Sequence, residues 1–243
     1  RRRRAASGEP PEAMRFLDGF HHSRAASLIM ALTAVDPHLI HRADLDKTSV
    51  TWDVGAAEGR GAAALRSLYG GEVHAFEPRP PAFDALSRRF HDDGAVHPHP
   101  FGLGAADATL PLELAGAGSS VHGPGGLPTV DVPIRDVAAV VHEQGHDRID
   151  LVKVNIEGGE YDLLERLLDQ GAIGRFRYLL VQFHEWYPRS HSRRWRIRRR
   201  LRATHEEVWC YPWIWELWCA RDDPHPPSEV SPELEAAIRE EIL

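Results

Sequence analysis

Val50-Thr51-Trp52-Asp53-Val54-Gly55-Ala56-Ala57-Glu58-Gly59-Arg60-Gly61 passes from a short apolar run through a glycine turn into the alanine-rich helical segment that continues to Leu68. A strand, a glycine turn and a helix in that order mark the position where an open α/β sheet binds its ligand, outside the carboxyl end of the strand. Small residues there let a ligand approach the backbone N–H groups. After Gly55 the next glycines fall four and six positions on, rather than the two and five of the dinucleotide fingerprint, which disfavours a pyrophosphate cradle. The acidic Asp53 at the start of the turn suits a ligand with a positive charge or an amino group.

The same unit repeats outward from this stretch. Val73 to Phe76 reads as a second strand ending at Glu77-Pro78, and Pro81 to Phe90 as a helix with Phe83 and Leu86 on one face. Ala95 to Phe101 is a third strand, and Leu110 to Leu114 and Val130 to Ile134 add short pieces around the glycine-rich loop Gly116 to Gly126. Asp136 to Gln144 is a helix, Asp150 to Asn155 a strand, Tyr161 to Gln170 a helix and Tyr178 to Phe183 a strand. Such alternation predicts a doubly wound, mostly parallel sheet covered by helices on both faces. Val208 to Cys210 and Ile214 to Cys219, separated by Tyr211-Pro212, predict an antiparallel hairpin added to the sheet edge. Residues 1–45 read as an N-terminal helical extension, 46–221 as the main domain, and 222–243 as a tail with a short helix from Pro232 to Leu243.

Composition narrows the class. The 243 residues are 42% hydrophobic and 27% charged, the balance of a globular chain. No run approaches the roughly 20 apolar residues of a membrane span, and the net charge of −7 argues against a globally basic nucleic-acid binder. Arg1 to Arg4 have no apolar run behind them and read as a solvated end rather than a signal peptide. With Cys210 and Cys219 the only cysteines, no disulfide framework is available and a reducing, cytoplasmic setting fits. Both read as free thiols.

Glu77 ends the second strand about twenty residues after the turn, where a carboxylate can take the hydroxyls of a ribose. Together with the turn it points to an adenosine-containing ligand without a diphosphate, and S-adenosylmethionine is the natural candidate. Further on, Asp150-Leu151-Val152-Lys153-Val154-Asn155-Ile156-Glu157-Gly158-Gly159-Glu160 concentrates polar groups at another strand end. Lys153 lies in an otherwise apolar strand, where a buried ammonium needs a carboxylate, and Glu157 or Glu160 could supply it. His184 follows the strand that ends at Phe183 and reaches the same crevice, as a general base or as a group that orients the substrate.

Asp53-Val54-Gly55-Ala56 through Gly59, Phe76-Glu77-Pro78, Lys153-Val154-Asn155-Ile156-Glu157-Gly158-Gly159-Glu160 and Val181-Gln182-Phe183-His184 together resemble the ordered motifs of the FkbM-type methyltransferases, over about residues 50 to 185. The resemblance implies a class I methyltransferase fold, S-adenosylmethionine as methyl donor, and O-methylation of a hydroxyl on a sugar, polyketide or related metabolite. It sets Gly55, Ala56 and Gly59 against the methionine part of the cofactor, Glu77 with Pro78 on its ribose, and Gly102 and Leu103 near adenine, with Asn155 also in the pocket. The family commonly has Asp at the position of Asn155 and often Glu at that of Gln182. Both exchanges remove negative charge and weaken any magnesium site or base there. Glu157, Glu160 and His184 remain as catalytic candidates, with Lys153 and Glu157 organising the crevice.

The rival readings rest on other segments. Seven arginines between Arg193 and Arg202, interleaved with Trp195, Ile197 and Leu201, read as a solvated helix packed through Ile197 and Leu201, or else as a phosphate contact of a nucleic-acid methyltransferase. Against the latter, Asn155 is followed by Ile156-Glu157 and not by the Pro-Pro-aromatic sequence of amino-methylating nucleic-acid enzymes. A cofactor-binding protein without catalysis is the other rival. Trp209, Trp213, Trp215 and Trp218 read as core in preference to a pocket lining. His21-His22 and His97-His99 lack metal-ligand spacing and are assigned no site.

Overall fold

The computed structural model describes residues 43–114, 127–213 and 215–224. The helices expected before residue 43, the loop from Gly116 to Gly126 and the helix from Pro232 lie outside these residues.

The strand–turn–helix units form where the periodicity places them: β1 (Val50–Val54), α1 (Arg60–Tyr69), β2 (Glu72–Phe76), α2 (Pro80–Arg89), β3 (Val96–His99). After a small second sheet made by β4 (Gly102–Gly104), β5 (Ala108–Glu113) and β6 (Thr129–Asp136), the chain continues through α3 (Val137–Glu143), β7 (Ile149–Val154), α4 (Glu160–Asp169) and β8 (Phe176–Val181). It closes with α5 (Ser190–Leu201), β9 (His205–Tyr211) and β10 (Trp215–Ala220). The seven-stranded sheet has the order β3-β2-β1-β7-β8-β10-β9. β3, β2, β1, β7 and β8 run parallel, while β10 is antiparallel to both β8 and β9. This is the expected doubly wound sheet with its terminal hairpin. From β1 the chain builds outward to β3, then returns to build β7 and β8 on the other side. The reversal leaves a crevice at the carboxyl ends of β1 and β7, the position that binds ligands in such sheets.

Alternation along the strands divides the core into two layers. Trp52, Val54, Val152, Val154, Leu179 and Val181 pack with Val140 of α3, Leu164 of α4, and Ile197 and Leu201 of α5. Val73, Ala75, Leu151, Tyr178, Leu180 and Leu217 pack with Ala62 and Leu65 of α1 and Leu86 of α2. Ile197 and Leu201 are fully buried, so the basic helix docks through the two apolar residues its sequence offers.

Most of its arginines are held by the protein's own carboxylates. Arg193 pairs with Asp162 and Glu165, Arg200 with Asp169 at 2.7 Å, and Arg198 with Glu207 and Glu216. Glu216, on β10, is buried and also receives Arg194 Nε at 3.0 Å and the indole N–H of Trp218 at 3.1 Å. Burial pushes its carboxyl upward against the pull of both guanidinium groups. Trp215 and Trp218 are buried, which agrees with the core reading of the aromatic hairpin.

Glu216→Ala strands two guanidinium groups and a buried indole N–H. We expect a loss of about 3–5 kcal/mol in urea denaturation, the usual cost of removing one partner of a buried ion pair. A change below about 0.5 kcal/mol, as at an ordinary surface position, would show that this network does not anchor the hairpin.

Candidate active site

At the carboxyl ends of β1 and β7 the register sets Asp53 opposite Lys153. Their side chains meet on the α1 face, with Lys153 Nζ donating to Asp53 Oδ1 at 2.7 Å and Asp53 completely buried. The carboxylate that Lys153 needs therefore comes from the neighbouring strand and not from Glu157 or Glu160. Asp53 does not line the cavity, whereas Lys153 does.

The turn after β1 is shaped by close approach. Gly55 has φ +83°, and a Cβ there would lie 2.0 Å from the Asn155 carbonyl oxygen. Its N–H and that of Ala56 both donate to the Phe76 carbonyl at 3.1 Å, tying the turn to the end of β2. Glu77 strengthens the tie: Oε2 accepts the Ala57 N–H at 2.8 Å, and Oε1 accepts the Arg79 N–H at 3.0 Å and Arg79 Nε at 2.9 Å. A carboxylate offers about four acceptor sites, so Glu77 keeps roughly one.

These walls enclose a cavity of about 450 Å³, within the size range of small-molecule sites. Gly55, Ala56, Glu77, Pro78, Gly102, Leu103, Lys153, Asn155 and Glu157 all line it, as do Ala57, Gly61, Arg79, Leu110, Ile134 and Asp162. Gly102 and Leu103 reach it from β4 of the small sheet. Gly59 does not line it. At φ +84° it starts α1, and a Cβ there would strike Leu86 and Phe90, so this glycine serves the packing of α1 on α2. Gly61 does line the cavity, and a Cβ there would lie 2.5 Å from Asp53 Oδ2.

On the β7 side Glu157 holds φ +49° and the following Gly158 +102°. A left-handed backbone at a non-glycine residue stores about 1–3 kcal/mol and persists only where its surroundings enforce it. Here the enforcing group is Glu160, fully buried at the start of α4. Its Oε2 accepts the Gly158 N–H at 2.8 Å and its Oε1 accepts the His184 backbone N–H at 2.9 Å. Tyr161 Oη donates to the His184 carbonyl at 2.8 Å. The His184 ring lies between carboxylates, Nδ1 at 3.1 Å from Glu160 Oε1 and Nε2 at 3.3 Å from Glu157 Oε2.

Burial opposes a charge on that ring, but the carboxylates of Glu157 and Glu160 beside it outweigh burial and lift its pKa to about 10. Each ring nitrogen of His184 thus faces a carboxylate oxygen, Nδ1 toward Glu160 and Nε2 toward Glu157, an arrangement that favours the protonated ring. It is 3% exposed and does not line the cavity. Its burial away from the cavity, with a carboxylate beside each ring nitrogen, does not favour the general-base role expected of His184. Nothing in the sequence showed that two carboxylates would close on one imidazole, because one comes from a turn and the other from a helix start.

The residues present fit S-adenosylmethionine. The turn at Gly55 admits close approach to backbone, and Asn155 Oδ1 is a buried acceptor with no hydrogen-bond partner among the described residues. Leu103, Leu110 and Ile134 offer an apolar wall for a flat ring system.

No curated protein matches the chain. Among solved structures it is similar to an rRNA methylase from Streptococcus thermophilus, at 13% identity over 88% of this chain and 99% of that one, with a TM-score of 0.44. It is similar also to the N-terminal domain of human METTL16 in complex with SAH, at 14% identity over 79% and 70% of the two chains and a TM-score of 0.44. A human methyltransferase 10 domain containing protein matches at 13% identity, over 80% and 84%, with a TM-score of 0.46. Likenesses this distant say nothing about reaction or acceptor. The family match is of another kind, since the methyltransferase FkbM domain covers residues 53–208, from the acid of the first turn through the β1, β2, β7 and β8 strand ends that build the cavity. With that match and this site geometry, the chain belongs to the FkbM methyltransferase family and is an S-adenosylmethionine-dependent methyltransferase.

Proposed function

We propose that the chain is an O-methyltransferase acting on a hydroxyl of a sugar, polyketide or related metabolite. The observation that carries this reading is Glu157, a carboxylate on the cavity wall held in a left-handed backbone and braced 3.3 Å from His184. S-adenosylmethionine, when bound, supplies an electrophilic methyl group on a positively charged sulfur. The chain's own residues then have to orient a hydroxyl toward that methyl and accept its proton as the new bond forms. In this reading Glu157 accepts the proton and is the catalytic residue. His184 is a positioning residue that fixes the carboxylate through Nε2, and Glu160 fixes His184 in turn.

The remaining roles follow from the cavity wall. Gly55 and Ala56 take the methionine end, Glu77 with Pro78 takes a ribose hydroxyl through its remaining acceptor site, and Gly102 and Leu103 face the adenine. Asn155 Oδ1 accepts from the cofactor's amino group, and Lys153 with Asp53 holds the two strand ends at the spacing this requires. A small neutral acceptor suits the site better than a polynucleotide. The arginines of α5 that are placed to make a basic patch are mostly spent on internal carboxylates, which leaves little of that run to hold a phosphate backbone.

Methyl transfer to a panel of hydroxylated sugars and polyketides, with the product's methyl position read by NMR, tests the acceptor class. Methylated oxygen is expected, and transfer to RNA or to nitrogen alone would contradict the reading. With an acceptor in hand, Glu157→Gln is expected to lower kcat by about 100-fold, within the range for loss of a positioned base, with little change in cofactor affinity. Wild-type turnover in that variant would remove Glu157 from catalysis.

The two carboxylates around His184 also make a statement about stability. The folded pKa of His184, about 10, lies above the ordinary 6.5, so its contribution is complete below about pH 6.5 and is lost as pH rises toward 10. The difference in thermal midpoint between wild type and His184→Gln is therefore expected to be largest at pH 5 to 6 and to shrink steadily up to pH 10. A gap that is constant or grows with pH would mean that the ring is neutral in the folded protein.

A further inference from the structure

The opposite end of β2 carries a second cluster of chemically active side chains that methyl transfer does not use. Period-two alternation sets Glu72, His74 and Phe76 on one face of β2. The register pairs His74 with His97 and Phe76 with His99 on the edge strand β3. His146, in the connection between α3 and β7, reaches the same spot. His74 is buried at 5% exposure among these groups, and its Nε2 lies 3.1 Å from Glu72 Oε1 and 3.4 Å from His146 Nε2.

We propose that Glu72, His74 and His146 form a binding site for a zinc-class divalent metal ion, with His97 as the fourth ligand. Among the described residues they are the one set of three such side chains whose ligand atoms all lie within 4.8 Å of one another. Zinc–nitrogen bonds of about 2.0–2.1 Å in a tetrahedron place neighbouring ligand atoms roughly 3.3 Å apart, and the two distances from His74 Nε2 bracket that value. His97 Nε2 stands 3.0 Å from the same Glu72 oxygen on a partly exposed ring, next to the other three ligands. Imidazole with one carboxylate is a donor set for zinc and its neighbours, not for magnesium.

The surroundings match those of a ligating histidine. His74 Nδ1 lies 3.1 Å from His99 Nε2, so a proton on Nδ1 donates to His99 and turns the Nε2 lone pair toward the ion, the usual support for a metal-bound imidazole. His99 is in turn stacked on Phe76 at 4.6 Å. An ion here would pin the α3–β7 connection and the edge strand β3 to β2. Its effect would appear in stability, since none of Glu72, His74, His97 or His146 lines the methyl-transfer cavity.

The test uses the full chain, stripped of metal by chelator and titrated with zinc chloride in a calorimeter, with cobalt(II) as a spectroscopic substitute. One equivalent of zinc is expected to bind and raise the thermal midpoint by on the order of 5–10 °C at a hundredfold excess over its Kd. Cobalt is expected to give the intense visible bands of a four-coordinate site. His146→Ala, at a partly exposed connection, and the conservative Glu72→Gln are each expected to weaken zinc binding at least tenfold. Absence of a stoichiometric site, or binding undiminished in both variants, would overturn the proposal and leave the cluster as a hydrogen-bonded stack of neutral rings. Neither result depends on methyl transfer.

Discussion

The ion pair between Lys153 and Asp53, at 2.7 Å, joins the two strands between which the chain reverses its direction of growth. A buried ammonium or carboxylate alone would be expensive, and each makes the other tolerable. Because the pair lies on the α1 face, α1 can approach only through a residue without a side chain, which is Gly61. Because it fixes β1 against β7, the turn at Gly55 runs against the Asn155 carbonyl and has room for nothing larger than glycine. The cavity is what remains between these closely approaching turns and the small sheet that carries Gly102 and Leu103.

Left-handed backbone gathers at the same two strand ends. Gly55, Ala57 and Gly59 have positive φ after β1, and Glu157 and Gly158 after β7. Such conformations need holding, and in each turn a buried glutamate holds them. Glu77 takes the Ala57 N–H, while Glu160 takes those of Gly158 and His184. The two carboxylates thus act as backbone acceptors before any ligand is considered. The sequence motif shows that an acid is required at Glu77 and at Glu160 without showing which donors each serves.

Much of the architecture was legible because it depends on local period. Alternating apolar runs and glycine turns placed β1, β2, β7 and β8 within a residue or two, and the aromatic run after Thr204 read as the edge hairpin that forms. What escaped depends on partners distant in the chain. Asp53 meets Lys153 across 100 positions, so a local search for the lysine's partner stopped at Glu157 and Glu160. Gly59 and Gly61 are identical in sequence, yet one is crowded by α2 and the other by Asp53. The arginines of α5 form a basic run on paper and a set of ion pairs in the fold. Glu72, His74 and His97 come together because β2 pairs with β3, a juxtaposition that spacing within either strand does not show.

The account stands on the claim that the crevice organised by Asp53 and Lys153 receives S-adenosylmethionine. Calorimetric titration of the cofactor into wild-type protein and into Lys153→Met, with circular dichroism to establish that both are folded, addresses it directly. Micromolar binding to wild type, weakened at least tenfold in the variant, is the predicted result. Failure of the wild type to bind, or equal affinity in a folded Lys153→Met protein, would contradict it.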